Sequence, residues 1–148
     1  MGAGNESRVW VFFYGSYMNF EVLKEACLVP GEWEVACAPG FDLRIGPRAN
    51  LVRSNQHTAW GINATATHTE LDRLYTDHAK GILGETYLPE AILTFTRDGR
   101  ARPVMTYLCP HMEPRPADAA YVERIAGPAR QFGFPEWYLE TIERFRPR

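Results

Sequence analysis

Among the 148 residues, the stretch Tyr14-Gly15-Ser16-Tyr17-Met18-Asn19 holds the residue types best suited to gripping a small anion. It joins an apolar run to a helical pattern, so its backbone N–H groups fall in a tight turn at a helix start and point outward without partners. The helix dipole makes such a spot favourable for a carboxylate. Gly15 lets a ligand approach the chain closely, Ser16 adds a hydroxyl, and Tyr14 and Tyr17 can form walls with polar tips.

Other reactive residue types are arranged less usefully. Cys109-Pro110-His111 offers a thiol and an imidazole, but neighbours along an extended chain face opposite ways. The four histidines, His57, His68, His78 and His111, lack the close spacing of zinc ligands, so no metal site is expected. Arg44, Arg48 and Arg53 flank a loop that could reach a pocket mouth, although solvated loop arginines are the commoner outcome.

The elements that must hold the glycine turn can be read from periodicity. Residues 9–14 form a continuous β-branched and aromatic run, the pattern of a strand buried on both faces. Asn19 can cap a helix over 20–28, stopped by Val29-Pro30-Gly31. Residues 32–38 and 41–45 alternate as two half-buried strands, 49–52 is a short apolar piece, and 59–64 reads as the next strand. Thr67-His68-Thr69-Glu70 has capping-box spacing ahead of a stripe of Leu71, Leu74 and Tyr75.

Residues 86–95 read as a strand that Pro89 demotes to an edge or a bulge, and Asp98-Gly99 marks a hairpin to a strand over 103–109. Tyr121, Val122, Ile125, Ala129 and Phe132 share a helical face, with Pro128 expected to kink or divide that helix near Gly127. Pro135 suits the first turn of a final amphipathic helix carrying Trp137, Tyr138, Ile142 and Phe145. The expected whole is one domain over 9–148, an α+β fold with a curved sheet or small barrel, behind a short disordered leader at 1–8.

Composition narrows the partners. With 45% apolar residues the chain can fill one sizeable core, and a net charge of -2 without like-charge runs offers no footprint for nucleic acid or an anionic membrane. A small neutral or zwitterionic molecule fits better. Three cysteines, an odd and scattered set, argue for reduced thiols and a cytoplasmic setting. Oligomeric state is not legible at this level.

The string from Val11 to Asn19 resembles the signature of the gamma-glutamylcyclotransferase-like (AIG2-like) family, an apolar strand followed by Tyr-Gly-Ser. Phe41-Asp42-Leu43, Ala49-Asn50-Leu51-Val52, Trp60-Gly61, Leu71-Asp72-Arg73-Leu74, Tyr87 and the tail from Gly133 to Leu139 occur in the order that family shows. The resemblance implies a small twisted mixed β-barrel with flanking helices. It also implies that Tyr14, Gly15, Ser16, Tyr17 and Met18 cradle the α-carboxylate and amino end of a γ-glutamyl group. The reaction it implies is internal: the substrate's α-amine attacks its own γ-carbonyl, expels an amine and leaves 5-oxoproline, without metal or organic cofactor.

Such chemistry needs one group to take a proton from the attacking amine and return it to the leaving one. The family uses a Glu just after its Leu-x-x-Leu helix. Here that segment reads Leu74-Tyr75-Thr76-Asp77-His78-Ala79-Lys80-Gly81, which puts Lys80 or His78 in the slot according to the direction of counting. Asp77, His78 and Glu85 are therefore the candidate proton carriers. The alternative is a noncatalytic binding module of the same fold that has lost the Glu.

Overall fold

The computed structural model describes residues 6–147. Five strands, β1 (Arg8–Phe13), β2 (Trp33–Ile45), β3 (Ala49–Thr67), β4 (Leu88–Thr96) and β5 (Ala101–Leu108), form a closed barrel in the order β1-β3-β2-β4-β5. β1 runs antiparallel to β3, and the ring closes through a parallel pairing of Val11 with Met105 of β5. The helices are α1 (Phe20–Glu25), α2 (His68–Arg73), α3 (Ala119–Gln131) and α4 (Glu136–Glu143). The fold is thus α+β with a mixed barrel, as expected.

The apolar run of β1 is buried throughout its second half: Val11, Phe12 and Phe13 are at most 1% exposed. Burial on both faces fits a strand held inside a closed ring with helices packed outside it. α3 lays Tyr121, Val122, Ile125 and Ala129 into this core, the stripe that the 3.6-residue period predicts. No described helix is long and apolar enough to cross a membrane.

Several boundaries differ from the expectation. Residues 32–45 make one strand, because Gly40, at φ 91°, absorbs a register shift between Pro39 and Phe41 and lets the ladder resume. β3 likewise runs from 49 to 67; its polar middle looks like a loop, and residues 54–57 do stand opposite Gly40 without ladder partners, while Arg53 and Thr58 on either side stay paired to β2. α1 ends earlier than Leu28, since Cys27 takes φ 60° and the Leu28 N–H turns back to the Leu23 carbonyl. Pro128 does not divide α3: it lies in the last turn, and its carbonyl accepts from the Phe132 N–H at 2.8 Å.

Of the leader expected over 1–8, residues 1–5 lie outside the described residues, and the remainder is tied down. Arg8 opens β1, and the Glu6 carboxylate accepts from the Thr69 N–H and hydroxyl, both at 2.9 Å. The capping box forms as read, with Thr67 accepting from the Glu70 N–H at 3.1 Å and Glu70 from the Thr67 N–H at 2.9 Å. Thr67→Ala is expected to lower the unfolding free energy by about 1 kcal/mol. Urea denaturation with an unchanged m-value checks this, and an unaltered midpoint contradicts it.

Candidate active site

After β1 the chain makes a single 3-10 turn, Ser16–Met18, and passes through Asn19 into α1. The Met18 N–H donates to the Gly15 carbonyl and the Asn19 N–H to that of Ser16, each at 3.0 Å, while the Asn19 side chain caps α1 by accepting from the Glu21 N–H. The first turn of a 3-10 helix has no internal acceptor for its leading N–H groups. Accordingly the amides of Gly15, Ser16 and Tyr17 find no acceptor among the described residues. Met18 departs from the expected cradle: its amide is occupied and its side chain is fully buried in the core.

Gly15, Ser16 and Tyr17 border a narrow crevice of about 20 Å³, walled by Tyr14, Tyr17, Tyr75, Tyr87, Tyr107 and Tyr121. The walls are fixed through their hydroxyls. Tyr14 donates to the Tyr107 carbonyl at 2.6 Å, Tyr87 donates to the Ala49 carbonyl at 2.5 Å, and Tyr121 accepts from the Ala49 N–H at 2.9 Å. Tyr75 and Tyr107 stack with ring centroids 3.7 Å apart. Burial is the main cause raising the phenol pKa of Tyr14, Tyr17, Tyr75, Tyr87 and Tyr121, so these hydroxyls stay neutral at physiological pH.

The three candidate proton carriers separate in space. α2 continues into a π-helical stretch, Leu74–Lys80, whose wider turn brings His78 and Ala79 inward and leaves Asp77 and Lys80 in solvent. Asp77 is thus removed from the crevice, contrary to expectation. His78 stands behind the cradle, with Nδ1 2.9 Å from the Tyr17 hydroxyl and Nε2 3.9 Å from a Glu25 carboxylate oxygen. Desolvation lowers its pKa below 6.5, Glu25 opposes that shift, and Arg124 and Arg48 add to it. Glu85 is half-buried, takes a hydrogen bond from the Cys109 thiol at 3.6 Å and lies outside the crevice lining.

Sequence reasoning missed two walls. Tyr75 reads from sequence only as part of a helix stripe and Tyr121 only as a core residue; both line the crevice. Of the loop arginines, Arg44 and Arg53 pair with Asp42 and Glu90, whereas the Arg48 guanidinium lies 4.9 Å over the Tyr121 ring.

No protein-family model matches this sequence. No curated protein matches it by sequence. Solved structures do match. One described as "Gamma-glutamyl cyclotransferase" superposes with TM-score 0.80 at 21% identity, over 96% of this chain and 90% of the other. An uncharacterized protein from Homo sapiens gives 0.79 at 22% identity, over 97% and 90%. A gamma-glutamyl cyclotransferase from yeast described as specific to glutathione gives 0.63 at 11% identity, over 95% and 97%. The chain therefore has the gamma-glutamyl cyclotransferase fold along nearly its whole length.

Proposed function

We propose that the crevice binds a γ-glutamyl compound by its amino-acid end and cyclises it, releasing 5-oxoproline and an amine. The observation that carries this reading is the row of unpaired amides at Gly15, Ser16 and Tyr17 beside neutral tyrosine walls. Unpaired N–H groups in one turn suit a carboxylate, and the aromatic walls suit a short methylene chain. Holding the chain bent brings the α-amine to the γ-carbonyl, the main source of acceleration for an internal reaction.

The proton path runs through Tyr17. As the amine nitrogen bonds to the γ-carbon, its proton passes to the Tyr17 oxygen while the Tyr17 hydroxyl proton passes to His78 Nδ1. The reverse transfer delivers a proton to the leaving nitrogen as the old C–N bond breaks. Neutral His78 is suited to this role by the desolvation that lowers its pKa.

A second reading, binding without turnover, is favoured by one observation: no carboxylate lines the crevice among the described residues. Incubation with γ-glutamyl amino acids, γ-glutamyl amines and glutathione, followed by assay for 5-oxoproline, separates the two. Product with any member supports cyclisation. No product across the panel overturns it, and calorimetric heat with 5-oxoproline then supports the binding module. Asp77→Asn is expected to leave turnover unchanged, since Asp77 faces solvent; a large loss contradicts the proton path given above.

A further inference from the structure

We infer that a second hollow beside the crevice is an anion subsite built on Arg48, which selects γ-glutamyl compounds whose leaving amine itself carries a carboxylate; this rests on the γ-glutamyl reading. The hollow has a volume of about 190 Å³ and shares Ser16, Leu83 and Tyr121 with the crevice, which makes the two neighbours. Its remaining charged or titratable lining comprises Arg48, His78, Asp118 and Arg124.

The charges there are not equivalent. Arg124 is balanced by Glu25 at 2.9 Å. Asp118 caps α3, accepting from the Tyr121 N–H at 2.7 Å, and is directed to the positive end of that helix. His78 is held neutral, with Nδ1 engaged by Tyr17. Arg48 is half-buried, rests on the Tyr121 ring and has no carboxylate partner among the described residues.

A stacked guanidinium keeps its planar fork of donors in a fixed orientation, which matches a carboxylate in a two-pronged contact. The α-carboxylate is provided for by the amides of residues 15–17 on the crevice side. Arg48 lies across the Tyr121 ring, in the hollow, and so meets a different negative group. In a γ-glutamyl amino acid or peptide, that group is the carboxylate of the departing portion.

The test uses a matched pair, γ-glutamyl-alanine and γ-glutamyl-ethylamine, which differ by that one carboxylate. Affinity is measured by calorimetry, or kcat/KM where 5-oxoproline forms. The unaltered protein is expected to favour γ-glutamyl-alanine by about tenfold. In calorimetry Arg48→Gln should erase that preference while leaving the affinity for γ-glutamyl-ethylamine close to that of the unaltered protein.

Equal affinities in the unaltered protein overturn the inference without any variant, and so does an equal loss for both compounds in Arg48→Gln, which would assign Arg48 to the shared α-carboxylate. If neither compound binds the unaltered protein, the γ-glutamyl reading fails and the subsite falls with it.

Discussion

Gly15→Ala is expected to weaken binding of 5-oxoproline by about ten- to a hundredfold, the scale of losing one hydrogen bond to a charged group. An alanine Cβ at this position would sit 2.5 Å from the Ala49 Cβ, closer than real carbon contacts allow. Ala49 cannot yield easily, because Tyr87 holds its carbonyl and Tyr121 its N–H. The strain therefore falls on the turn and moves the amides of Ser16 and Tyr17. Overpacking of this kind also costs about 1–3 kcal/mol of stability.

A compensating change separates the local clash from a general loss of fold. Ala49→Gly in the Gly15→Ala background removes the opposing carbon and should restore most of the affinity. Calorimetry on the parent, both single variants and the double variant checks the cycle. Unaltered binding by Gly15→Ala would show that the turn is not the cradle.

Local patterns revealed the parts of this site that depend on neighbouring residues. The β1 run, the glycine turn, the Asn19 cap and the capping box each arise within a few positions, where steric and hydrogen-bond rules act directly. What lay beyond local reading is the closure of the barrel. Only closure brings Ala49, at the start of β3, against Gly15 and makes a glycine necessary there. Tyr121 reaches the same place from a helix 72 residues further along the chain than its partner Ala49.

The segment after Leu74 was misleading for a different reason. Counting along an ordinary helix does not show which residues face inward when the turn widens to a π-helix, so Asp77 and His78 looked equivalent in sequence. The fold distinguishes them, burying one against Tyr17 and leaving the other in water. The lack of a Glu in the slot was legible at once, but the side chain proposed in its stead was not, because His78 is set apart by contact with a hydroxyl from a loop 61 residues earlier.

His78→Asn tests that replacement and carries the larger kinetic effect. An asparagine amide can still hydrogen-bond the Tyr17 hydroxyl but cannot titrate, so turnover should fall by about 10²–10⁴-fold while 5-oxoproline binding stays close to the parent. On the proposed path the parent's rate requires neutral His78. Since its pKa is lowered from 6.5, kcat should be flat near neutrality and decline only as pH falls through a value below 6.5. That acidic limb should vanish in His78→Asn.

The same shift has a stability consequence with a fixed sign. On acidification the unfolded chain takes up the His78 proton first, so stability present above about pH 6.5 is lost as pH falls through the folded-state pKa. The variant should lack this contribution to the acid melting curve. A His78→Asn protein that keeps both its turnover and its acidic limb would remove His78 from the proton path. Loss of turnover in Glu85→Gln would then move that role to the carboxylate beside Cys109, with the proton entering from the Tyr87 side of the crevice.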